Sequence, residues 1–155
     1  MDATASHVAE VLRVLGVRGQ VRELPEPAPT AAAAAAQLGC EVGAIANSLI
    51  FAVDGEPLLV LTSGAHRVDT KRVQGLLGTG KLKRADPEFV AMATGQQVGG
   101  VAPVGHPTVL RTVVDAWLGK HEVVWAGGGD EHTMFPTSLD ELVRITDGLV
   151  AEVGD

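Results

Sequence analysis

Between Thr94 and Pro107 the chain reads TGQQVGGVAPVGHP, fourteen residues that hold four glycines and two prolines among β-branched apolar side chains. Glycine lets main chain approach a neighbour with no Cβ in the way, whereas proline fixes φ and removes a donor. Neither helix nor strand tolerates that mixture, so the segment is expected as a rigid loop whose amides and carbonyls line a hollow. A second glycine run, Gly127–Gly129, follows directly on the apolar stretch Val123–Ala126. Taken singly, a Gly-Gly pair reads as an ordinary turn. Two such runs in one small chain predict a pocket walled largely by backbone.

With 155 residues the chain has the size of one domain, 1–155, in which 1–29 supply an N-terminal helix and a proline-rich lead-in to a core over 30–155. That length buries roughly two-thirds of the unfolded surface without staples. No segment reaches the ~18–20 continuous apolar residues needed to cross a bilayer, and Met1–Ser6 is no basic region followed by an apolar one. Cys40, the single cysteine, has no internal disulfide partner, which suits a reducing compartment. A cytoplasmic protein with no membrane partner is the expectation, as monomer or homodimer.

A formal net charge of −7 argues against a DNA-coating protein, because phosphate binding needs positive surface. The cations are nonetheless clustered: Arg67, Lys71, Arg72, Lys81, Lys83 and Arg84 are six of the twelve Lys and Arg, opposed in that window only by Asp69. Two readings stand, a local patch that holds the end of a nucleic-acid strand and a merely solvated helix face and strand edge. With three Phe, two Trp and no Tyr, the chain lacks the aromatic platform of a single-strand binder.

Hydrophobic spacing predicts a helix over Ser6–Leu15, capped by Ser6 and ended by Gly16. Leu24–Pro29 is extended. Thr30 caps an alanine-rich helix, Ala31–Leu38, whose small side chains suit close packing on a sheet and suggest no chemistry. Ser48–Val53 and Leu58–Thr62 form a hairpin through Asp54-Gly55. Asp69 caps a helix through Leu77, Lys81–Arg84 is a short strand, and Asp86-Pro87 opens a helix closed by Gly95. Val109–Val114, Glu122–Ala126 and Thr133–Pro136 are further strands. Ser138 and Glu141 make a capping box for the helix Leu139–Ile145, and Leu149–Val153 pairs at a sheet edge. Helices and strands mix without regular alternation, which favours α+β around one mixed sheet.

Other motifs are weaker. Gly75–Lys81 fits the first seven positions of a Walker A loop, but Leu82 replaces the hydroxyl and a helix, not a strand, precedes it. His66, His106, His121 and His132 show no paired ligand spacing, so no metal is expected. Ser48 and Ser63 lie in no nucleophile elbow. Cys40 has no basic neighbour in sequence to lower its pKa and reads as a small packed residue.

The order of these elements carries a resemblance. TGQQVGGVAPVG, preceded by a helix and the hairpin and followed by RTVVD (Arg111–Asp115) and WAGGG (Trp125–Gly129), resembles the YbaK/prolyl-tRNA synthetase-associated editing-domain family, from about Thr30 to the C-terminus. That family consists of aminoacyl-tRNA deacylases, some inserted in prolyl-tRNA synthetase and others free-standing. The resemblance implies a mixed, curved sheet flanked by helices. It implies too that a free-standing member hydrolyses the ester of a small misattached amino acid without cofactor, its partner being the acceptor end of mischarged tRNA.

By the same resemblance Gly99, Gly100, Pro103 and Gly105 match the pocket loop, and Gly127 and Gly128 the second glycine turn. Asp115 ends the central strand, where capping the next turn is preferred to catalysis. His132 lies where some members carry a histidine near the ester, and His106 follows the pocket loop; His132 is preferred for function, each being otherwise a plain loop histidine. Arg67, Lys71 and Arg72 are candidates for tRNA binding. Asn47 departs from the pattern: many members have lysine there, whereas asparagine keeps hydrogen-bonding capacity without charge or reach. Three outcomes are open. Asn47 serves as a neutral donor to ester or ribose, a nearby cation replaces the lysine, or the protein binds without hydrolysing; the first is preferred. A further possibility is that Asn47 only satisfies backbone groups at a strand entrance.

Overall fold

Asp54 and Gly55 set the centre of the molecule. Both adopt left-handed φ, 52° and 81°, the turn that matches the twist of paired strands and that Asp-Gly favours. The turn folds β2 (Ile45–Val53) back on β3 (Glu56–Ser63) in an antiparallel pair running from Val53 opposite Glu56 to Ala46 opposite Ser63. The computed structural model describes residues 1–155.

Around this hairpin an eight-stranded sheet is assembled. On the β3 side lie β5 (Arg111–Asp115) and then β8 (Leu149–Ala151), both parallel to their neighbours. On the β2 side lie β6 (Val124–Gly127), parallel to β2, then β7 (Thr133–Thr137) and β1 (Arg22–Glu23), each antiparallel to the strand before it. A short strand, β4 (Lys83–Arg84), pairs antiparallel with the far end of β2. The sheet is thus mixed, as the sequence suggests.

Alternation on β3 sends Leu59 and Leu61 to one face and Leu58 and Val60 to the other, the period-two rule of a strand buried on both sides. The first face packs Val8 and Leu12 of α1 (Ala3–Val14), Val90 of α4 (Pro87–Thr94) and Leu142 of α5 (Leu139–Thr146). The second packs Val73 of α3 (Thr70–Leu77) with Phe51, Val113 and Val153. Beside them α2 (Ala31–Leu38) lays Ala34 and Ala35 against Ile45 and Met134.

Four helix starts follow the sequence reading: the side chains of Thr30, Asp69, Asp86 and Ser138 accept hydrogen bonds from the amides of Ala33, Arg72, Phe89 and Glu141. The first helix differs. It starts at Ala3, and Asp2 caps it by accepting from the Ala5 amide at 2.8 Å; a carboxylate there also opposes the positive end of the helix dipole. Two residues of β1 and 3₁₀ turns at Val42–Ala44 and Ala116–Lys120 were not anticipated. The strand expected over Val109–Val114 starts only at Arg111, and Val109 is 86% exposed. The Walker-like glycine Gly75 lies inside α3.

A backbone-walled cleft where the sheet splits

β2 is paired along its length on one edge only. On the other edge β6 takes Ile45 and Ala46, β4 takes Phe51 and Ala52, and Asn47–Ile50 have no strand partner there. At that gap opens a cleft of about 270 Å³. Ala46–Leu49 line it, together with Pro29, Thr30 and the first turn of α2, the loop Val98–Val101, and Gly127, Asp130, Glu131 and Thr133. Ala31 and Ala34 lie on this wall, so the alanine run has a consequence that its sequence did not suggest: its short side chains leave room. Arg84, carried by β4, is the only Lys or Arg among the lining residues.

The two glycine runs meet here. The Gly129 amide donates to the Gly100 carbonyl at 2.9 Å. A Cβ on Gly100 would stand 2.1 Å from the carbonyl carbon of Asp130, and one on Gly127 would stand 2.6 Å from the Val101 oxygen. Main chain lies directly on main chain, a contact that no other residue type permits. Of the glycine amides, that of Gly128 is spent on the Thr133 carbonyl at 2.9 Å and that of Gly100 makes a long bond of 3.4 Å to Gln97. The amides of Gly99 and Val101, both lining residues, have no acceptor within the protein.

Buried Gln96 and Thr94 fix the loop from behind. The Gln96 side chain donates to the Val104 carbonyl at 3.1 Å and accepts from the Ala102 amide at 2.7 Å, while the Thr94 hydroxyl accepts from the Gln96 amide. The sequence offers no signal for this clamp beyond the position of both residues at the loop entrance.

Asn47, Gly99, Gly100 and Gly127 line the cleft; the other sequence candidates lie elsewhere. Pro103 is buried behind the loop, and Gly105 faces α1, where a Cβ would meet Val8 at 3.2 Å. Gly128 packs on Thr133. His106 braces the loop through Nε2 and the Ala102 carbonyl at 2.8 Å, and burial pushes its pKa below the ordinary histidine value. His132 is exposed; its amide bonds the Asp130 carboxylate at 2.8 Å and its carbonyl accepts from Leu24. Arg67 and Lys71 are exposed and off the cleft. Arg72, also off it, is engaged by the C-terminal end through the Gly154 carbonyl and the Asp155 carboxylate.

The Asn47 carboxamide, half-buried, makes no hydrogen bond to backbone or side chain. Asp115 is fully buried and caps the turn after β5 through the Trp117 amide at 3.0 Å. It also accepts from the Ser63 amide and contacts buried His66, a pairing that the sequence separates by 49 positions. Burial raises the Cys40 thiol pKa, which keeps it protonated. No group of three His, Cys, Asp or Glu is placed to hold a metal ion, and no helix is long and apolar enough to cross a membrane.

Comparison with known proteins agrees on one lineage. The model of the aminoacyl-tRNA editing domain matches residues 25–145. Proline–tRNA ligase of Nitratidesulfovibrio vulgaris (strain Hildenborough) is 34% identical over 134 residues, 86% of this chain and 23% of that protein. The enzyme of the same name from Levilactobacillus brevis is 28% identical over 70% of this chain and 19% of its own length. The chain therefore spans about a quarter or less of the curated relatives it matches. A crystal structure of a candidate trans-editing enzyme for prolyl-tRNA synthetase superposes with a TM-score of 0.94 at 36% identity, over 100% of this chain and 99% of that one.

Proposed function

The chain belongs to the aminoacyl-tRNA editing domain family, and from that premise we propose that it is a trans-acting deacylase which hydrolyses the ester between a small misattached amino acid and tRNA. The observation that carries the reading is the meeting of the two glycine runs at a cleft where two amides are unengaged.

An aminoacyl ester is already activated, so hydrolysis needs a placed water and donors for the oxygen on which charge develops. Backbone amides supply such donors without titrating and with little reorganisation. Here those of Gly99 and Val101 serve, in place of the engaged amides of Gly100 and Gly128. The Asn47 carboxamide orients the ester or the terminal ribose. Arg84 takes the charge of the nearest phosphate, in place of Arg67, Lys71 and Arg72. The reaction so written runs through main chain and requires no metal. The short walls at Ala31 and Ala34 and the cleft volume of about 270 Å³ admit a small aminoacyl group with the end of its nucleotide. Such an enzyme has a purpose because one methylene yields only about 1–3 kcal/mol of discrimination in a synthetase pocket. Action in trans draws support from the likeness to the candidate trans-editing enzyme for prolyl-tRNA synthetase.

A panel of mischarged tRNAs tests the reading. Release of at least one small amino acid well above the spontaneous rate is expected; none from any tRNA removes the enzyme claim. Asn47 keeps a second reading alive, a module that binds the aminoacyl end without cleaving it. Binding of non-hydrolysable aminoacyl-adenosine analogues without turnover favours that module. Asn47→Lys separates the two as well: a large gain in deacylation means that the native site has lost function, whereas the deacylase reading expects little gain because Arg84 already supplies the cation.

A further inference from the structure

We infer that Glu131 recognises the free α-ammonium of the aminoacyl group, an assignment that rests on the deacylase reading of the cleft. Glu131 follows the second glycine run and lines the cleft. Its Oε1 lies 2.9 Å from the point where a Cβ of Gly99 would stand, so the carboxylate rests over the residue whose amide is free. It has no ion pair and accepts no hydrogen bond in the protein. Its main chain is fixed, since the Glu131 carbonyl accepts from the Ala28 amide at 2.7 Å.

Neighbouring Asp130 is less available for the same role. One of its carboxylate oxygens already accepts from the His132 amide at 2.8 Å and the Thr133 hydroxyl at 2.9 Å. The cation on the cleft, Arg84, forms no salt bridge with either carboxylate. Glu131 is therefore the anion with both oxygens uncommitted beside the uncommitted amides. In an aminoacyl ester the ammonium stands one carbon from the carbonyl. A carbonyl oxygen held by Gly99 and Val101 thus brings the ammonium over Gly99, against this carboxylate. Charge then sorts substrates before side-chain size does: an aminoacyl end with a free amine is accepted, and one whose amine is acylated or in peptide linkage meets an anion that it cannot pair.

The test compares deacylation of alanyl-tRNA and N-acetylalanyl-tRNA by the native protein and Glu131→Gln. The native protein is expected to favour the free amine by about tenfold or more in kcat/KM, the size of one charge-assisted hydrogen bond. Glu131→Gln should lose about tenfold on the free amine, chiefly through KM, and stay within about twofold on the acetylated substrate. Equal native rates on both substrates, or an equal loss on both in the variant, overturn the assignment while leaving the deacylase reading intact. If neither substrate is hydrolysed the deacylase reading fails, and binding decides the role of Glu131. In that arm amide-linked 3′-alanylamino-adenosine and its N-acetyl derivative are titrated into both proteins. Preference for the free amine that vanishes in Glu131→Gln upholds the assignment; indifference, or no binding of either, overturns it.

Discussion

Gly100 occupies a place where one methyl group is forbidden. Its Cβ would stand 2.1 Å from backbone of Asp130, and backbone cannot rotate aside as a side chain can. Gly100→Ala is expected to destabilise the protein by about 2 kcal/mol or more and to abolish cleft function, measured by urea unfolding beside a deacylation assay. Gly75, with nothing within 4 Å of its Cβ position and an ordinary helical φ, is the control. Gly75→Ala should stabilise by about 0.5–1 kcal/mol. His106 gives a pH signature. Its folded pKa lies below the ordinary value because burial disfavours the charged ring, so below about pH 6.5 the unfolded state binds the extra proton and stability falls with pH. His106→Gln should flatten the urea midpoint between pH 7 and pH 5 relative to the native protein. The pocket glycines were legible because a missing Cβ is written in the sequence. Arg84, Glu131 and the two free amides were not, since the direction of a side chain and the commitment of an amide are decided by pairing partners far along the chain.

At the scale of the element, capping residues announced themselves. Thr30, Asp69, Asp86 and Ser138 sit one residue before their helices and do what short oxygen-bearing side chains do there. The start of α1 was missed because Ser6 and Asp2 compete for one role and the carboxylate wins. β1 left no trace, two residues being too few to show alternation. The divergence of β4 and β6 from one edge of β2 was equally hidden, since it depends on pairings distant in sequence, Ala52 with Lys83 and Ile45 with Trp125 among them. α2 makes one wall of the resulting opening, which ties its stability to the site. Thr30→Ala removes the acceptor of the Ala33 amide and should cost about 1 kcal/mol. Hydrogen exchange should show the loss concentrated in Ala31–Leu38, with a raised KM for substrate.

Across the whole molecule, charge and the proposed substrate are at odds. A net charge of −7 repels nucleic acid, so grip on a tRNA must come from few, well-placed cations. Affinity should therefore depend only weakly on salt, and Arg84→Ala should flatten the plot of log K against log salt by about 0.7, one phosphate contact on a single strand. The mixed α+β architecture was readable from the irregular order of helices and strands, and the relative at TM-score 0.94 shares it. The position of the cation patch was not: Arg67, Lys71 and Arg72 sit at and before α3, off the cleft, and of that run only Arg84 reaches it, because β4 carries it there.

A cleft walled largely by peptide groups has a pharmacological corollary. The cleft presents no cysteine, histidine or lysine along its walls, so reagents that capture thiols, imidazoles or amines find no target there. A reversible mimic suits such walls better, matching the contour of the main chain and the spacing of its exposed donors.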